Sequence, residues 1–254
     1  MTRPAIAALS LLLAACGGEG TSEGQSDQEA NQTRATYGSS RSQSGGSSAL
    51  PGNTSTSSGV DKLKLGGGTL AYPDYLQMIA LGYRLRGEPL PAEEWAGWNV
   101  KVRTANEFER SAREAEVIAE YRAIDASTVG VGHLRILVRS RLGEYDMARQ
   151  GFPLESIGPG TTYEYEAQIG KPHKVGLRLE NATEAGFWPV SPAEAQALIN
   201  RIRSVRMVDA HLDLDITGID TRGKVPVILA NVTEYRLNLE KIFNSAEIAH
   251  VRVN

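Results

Sequence analysis

Close to Gly130 the spacing of apolar residues changes from a helical period to strict alternation. One switch of this kind limits the chain to helices on one side of it and mostly strands on the other. On the helical side, Asp74 is placed to cap a helix running to about Arg86, with Tyr75, Met78, Ile79 and Tyr83 on one stripe. Gly87, Pro89 and Pro91 stop that helix. Glu93, Glu94, Trp95 and Trp98 fit a short helical turn whose aromatic rings read as packing. The run Thr104-Ala105-Asn106-Glu107 spells a capping box. It predicts a helix to about Ile124, with Phe108, Ala112, Ala115, Ile118 and Ala119 inward and Glu109, Arg110, Arg113, Glu114 and Glu120 in water.

On the other side of Gly130, Leu134, Ile136 and Val138 alternate with His133, Arg135, Arg139 and Arg141, the pattern of a half-buried strand. Gly143 then predicts a turn into a partner strand from Tyr145 to Phe152. Further strands are expected over 161–168, with Tyr163 and Tyr165 opposite Glu164 and Glu166, and around Val175, Leu177 and Leu179. Ser191-Pro192-Ala193-Glu194 combines a cap, a first-turn proline and a box-closing glutamate. It predicts a helix over 192–204 that buries Ala195, Leu198, Ile199 and Ile202. Two long strands follow, one from Val205 to Thr217 and one from Lys224 to Asn238, joined by the loop 218–223. The second is apolar on both faces and is therefore expected in the sheet interior; Ile248 to Val253 is expected as an edge. The expected class is α+β: N-terminal helices, then a mainly antiparallel sheet with one inserted helix at 192–204.

Residues 17–68 break both patterns. They are rich in Gly, Ser, Thr, Gln and Asn, and their few apolar residues have no period. Such a segment lacks the apolar surface to offset ordering entropy and reads as a disordered tether. A coil of about 50 residues spans roughly 40 Å on average. In front of it, Met1-Thr2-Arg3 supplies a positive charge and Ala5 to Ala15 an uncharged apolar run too short to cross a bilayer. Leu13-Ala14-Ala15-Cys16 then resembles the lipobox of bacterial lipoproteins. That resemblance implies a signal peptide over 1–15, cleavage before Cys16, and acylation of Cys16, with palmitate among the chains. It also implies a membrane anchor in the cell envelope, since several chains together hold stably. Gly17, where an inner-membrane lipoprotein often has Asp, favours the outer membrane facing the periplasm. The expected organisation is signal peptide 1–15, lipidated Cys16 with its tether over 16–68, and a single α+β domain over 69–254.

Composition narrows the function. About 185 residues remain for the domain, enough for a real core. The formal net charge of −3 offers no excess of positive charge for nucleic acid. Cys16 is the sole cysteine, so with it acylated the domain holds no disulfide and no cysteine-based nucleophile or metal site. No Gly-x-Ser-x-Gly, His-Glu-x-x-His, Walker-type or dinucleotide-binding glycine motif occurs, and no cofactor is expected. Two constellations carry candidate chemistry. His211, Asp213 and Asp215 alternate on one strand face, the donor types for a divalent ion or a general base, though about 7 Å apart in sequence along the strand. Arg135, Arg139 and Arg141, with His133, form a basic stripe suited to an anionic polymer or head group, or else to pairing with acidic side chains on a neighbouring strand. The reading that follows is a non-enzymatic, tethered binding or interaction module whose partners are the membrane, through Cys16, and an envelope protein or the cell wall. The alternative is a periplasmic hydrolase, metal-assisted, using His211, Asp213 and Asp215.

Overall fold

The computed structural model describes residues 65–202, 206–239 and 246–253. Cys16, the signal sequence, nearly all of the expected tether and the last residues of the expected 192–204 helix lie outside them. The first half runs β1 (Gly68–Ala71), α1 (Tyr75–Leu85), α2 (Ala92–Trp98), α3 (Val100–Arg103), α4 (Arg110–Ser127), β2 (Val131–Arg141) and β3 (Gly151–Pro153). The second half runs β4 (Thr162–Ile169), β5 (Lys171–Leu179), α5 (Ala182–Ala185), β6 (Phe187–Pro189), α6 (Pro192–Ile202), β7 (Met207–Asp220), β8 (Val227–Leu239) and β9 (Glu247–Arg252). The described residues therefore form an α+β arrangement of six helices, a mixed seven-stranded sheet and a two-stranded sheet. None of their helices is long and apolar enough to cross a membrane.

The helical layer departs from the sequence pattern in a specific place. Asp74 does cap α1: its carboxylate accepts from the Gln77 N–H at 2.8 Å, and the Gln77 side chain accepts from the Asp74 N–H at 3.0 Å. Gly87, at φ +71°, ends the helix as expected. The Thr104–Glu107 box does not form. Thr104 ends α3, and its hydroxyl donates to the Val100 carbonyl at 2.8 Å. The Asn106 side chain instead accepts from the N–H groups of Phe108 and Glu109, both at 3.0 Å, so α4 begins only at Arg110. The inward stripe of α4 is Val117 and Tyr121, flanked by Ile118 and Ile124. Ala112, Ala115 and Ala119 are exposed, and Phe108 is 88% exposed.

The large sheet has the order β1-β2-β7-β8-β5-β4, with β9 added beside β8. It is mixed because β1 runs parallel to β2 and β5 parallel to β8. Both edges of β2 are thus taken, by β1 and β7, and the expected 145–152 partner strand has no place there. After Gly143 the chain turns away, and Gly151–Pro153 pairs with β6 in the small sheet. Phe152 is buried there against the rings of Tyr145 and Trp188. The glycines read as the end of the tether also belong to the fold. A Cβ on Gly66 would meet the Gly130 carbonyl oxygen at 2.2 Å, and one on Gly68 would meet it at 2.9 Å. These glycines serve close backbone approach, with Gly68 already in β1 and Leu65 packed on the core.

Strand β8 is interior, as its two apolar faces predict, but its outer edge is shared. Val227–Ala230 pair with β5, and Glu234–Asn238 pair with β9. The gap between is closed by a side chain. Asn181 donates to the Val232 carbonyl and accepts from the Val232 N–H, both at 2.8 Å, where a strand backbone would otherwise stand. One face of the sheet, with Leu134, Ile136, Val138, Leu212, Leu214, Val232, Tyr235 and Leu237, closes a continuous core with the helices and the small sheet. Ala195, Leu198 and Ile202 of α6 are buried in it as the sequence predicts. The other face carries mostly polar and charged side chains that are half-buried or exposed.

Candidate functional site

The open face is a charge ladder set by strand register. On an antiparallel pair, residues opposite one another hold their Cβ atoms about 5 Å apart and so meet. Here His133 faces Asp215, Arg135 faces Asp213, Leu137 faces His211 and Arg139 faces Asp209. His133 Nδ1 and Asp215 Oδ1 share a hydrogen bond of 2.6 Å, and Arg135 Nε donates to Asp213 Oδ1 at 2.6 Å. Arg139 Nε lies 3.5 Å from Asp209 Oδ1. His211, which has Leu137 opposite it, takes Tyr72 instead: the Tyr72 hydroxyl and His211 Nδ1 are 2.8 Å apart, and the rings meet edge to face. Tyr72 does this from a left-handed backbone at φ +50°, a conformation costly for a non-glycine residue.

Both candidate constellations are therefore found, but in each other's company. The basic stripe of β2 and the acidic stripe of β7 pair with one another, which leaves Arg141, opposite Met207, as the stripe member without an ion pair among the described residues. His211, Asp213 and Asp215 each hold a different partner and do not converge. Among the described residues no three His, Cys, Asp or Glu side chains are grouped to hold a metal ion. The hydrogen bond and charge of Asp213 push the Arg135 guanidinium further above its ordinary value.

The third and fourth strands add what the sequence reading left out. A bulge in β8 makes Glu234 face Asp213 and Val232 face Leu214, so that Thr233 is an extra residue. Thr233 and Glu234 both reach the open side as a result, and the Thr233 hydroxyl donates to the Asp213 carbonyl at 3.1 Å. Glu234 is held below the ordinary carboxylate range, first by His250, whose Nε2 is 3.2 Å from its Oε2, and then by Arg236 at 3.4 Å. Next to the bulge lies a shallow groove of about 470 Å³ lined by Thr69, His133, Arg135, Asp213, Asp215, Thr233, Glu234 and Arg252, with Leu134 and Leu214 in its floor. Sequence alternation places the first strand's contribution on one face. The bulge, and the pairing of β9 that brings Arg252 in, leave no such signature.

Comparison with known proteins yields no matching family model, no matching curated protein and no matching solved structure.

Proposed function

We propose that the chain is a lipid-anchored protein of the bacterial cell envelope that presents a non-enzymatic binding domain on a tether, on the outer membrane's periplasmic side. The observation that carries the anchoring part is Leu13-Ala14-Ala15-Cys16 behind an uncharged apolar run, with no second cysteine in the chain. The polar stretch that follows supports a spacer between membrane and domain. The binding part is supported by the open sheet face, where strand pairing and a bulge assemble a polar groove from β1, β2, β7, β8 and β9. The hydrolase alternative draws no comparable support, because His211 is bonded to Tyr72 and Asp213 to Arg135 instead of facing one reacting point. Metabolic labelling tests the anchor: palmitate enters the wild-type chain, and Cys16→Ser abolishes incorporation. An unlabelled wild type in a lipoprotein-processing host defeats the reading.

A further inference from the structure

The groove on the open face contains one cation, Arg252, that has no ion pair among the described residues. Arg252 stands directly opposite Glu234 in the β8–β9 register, yet the two form no ion pair, because Glu234 is engaged by Arg236 and His250. Arg135, the other guanidinium in the lining, is committed to Asp213. On the negative side, Asp213 is matched by Arg135, while Asp215 has His133 as its sole ion partner among the described residues, and that imidazole offsets its charge only when protonated. Among the described residues the groove therefore holds one guanidinium without an ion pair and one carboxylate whose ion partner is an imidazole. The side chains of Thr69 and Thr233 add hydroxyl groups, and the lining offers no exposed aromatic or large aliphatic anchor.

We propose that this groove binds a small zwitterion, an amino acid or short peptide, with its carboxylate on Arg252 and its ammonium on Asp215. A purely anionic ligand would meet Asp213, Asp215 and Glu234. A purely cationic one would meet Arg135 and Arg252. A ligand with both charges meets Arg252 and Asp215 at once, and a guanidinium presents a planar fork that fits a carboxylate. The inference rests on reading the open face as the binding surface and names its ligand class. A shallow, open groove gives weak binding, with a Kd on the order of 1 mM.

Saturation-transfer NMR on the whole chain with alanyl-alanine tests this, beside its N-acetylated and C-amidated forms. The free dipeptide is expected to give a signal at about 1 mM, and each blocked form is expected to bind at least about tenfold more weakly. Arg252→Gln and the isosteric Asp215→Asn are expected to weaken the free dipeptide to the same extent, whereas Arg113→Gln, on α4, leaves it unchanged. Absence of binding at about 10 mM, equal binding of either blocked form, or full binding by Arg252→Gln overturns the proposal. Palmitate reads Cys16 and the dipeptide reads the groove, so the anchor and the ligand class fail separately.

Discussion

Asn181 does by side chain what a strand does by backbone. It supplies a donor and an acceptor to Val232 at the one stretch of β8 that neither β5 nor β9 reaches. Val232 is 1% exposed, so its peptide groups have no water to turn to. Asn181→Ala is expected to lower stability by about 2–4 kcal/mol, the cost of leaving a buried donor and acceptor unmatched. Urea denaturation measures it, and an unchanged midpoint would show that other groups satisfy Val232. Nothing in the sequence marks this residue. Asn after Glu180 reads as an ordinary turn, because its role depends on a gap between strands far away in the chain. Asp74, by contrast, is legible, since its cap is made with Gln77 three residues on.

Strands show the same division between local and distant information. Alternation in β2 and β7 fixes which residues share a face, and the burial of Leu134, Ile136, Leu212 and Leu214 bears that out. Which charge meets which depends on register, and register is set by pairing between strands some eighty residues apart in sequence. The ladder predicts compensation. Arg135→Asp places like charges opposite each other and is expected to cost about 1 kcal/mol, a modest value because both side chains remain partly wet. Adding Asp213→Arg is expected to recover most of that loss in thermal denaturation, and additive losses would show that the pair contributes nothing. A second element-scale effect belongs to β5. His173 is buried under α1 and α2, with the Tyr83 hydroxyl 3.3 Å from Nδ1 and the Trp95 ring 4.8 Å away. Burial, then the charge of Lys171, holds its imidazole below the ordinary histidine range, while the Ile169 backbone and Glu94 oppose the shift. The unfolded chain takes up this proton first, so stability is full above about pH 6.5 and falls as pH drops below it. His173→Phe is expected to flatten that part of the stability–pH curve, and an undiminished slope would assign it to other groups.

At the scale of the molecule, composition misreads why the glycines leading into β1 are there. Gly66, Gly67 and Gly68 look like the end of a spacer, yet two of them let the chain pass within van der Waals range of Gly130. The backbone then enters β1, where the Gly68 N–H donates to the Gly130 carbonyl at 2.9 Å and Leu70 is 7% exposed. Helical and strand periods are visible because they repeat within one element. A four-residue parallel edge strand has too few residues to show a period, and its glycines resemble those of a linker. The consequence is testable by where the chain is begun. A chain starting at Leu65 keeps β1 and all of the described core, and its unfolding free energy is expected to match that of the full chain within about 0.5 kcal/mol. One starting at Asp74 loses the burial of Leu70, worth about 2 kcal/mol, together with the Tyr72 contact to His211. It also bares the outer edge of β2 to other molecules. It is expected to unfold earlier and to associate at high concentration. Denaturation and size-exclusion chromatography on the two chains decide the matter: equal stability and equal elution would mean that β1 adds nothing to the fold.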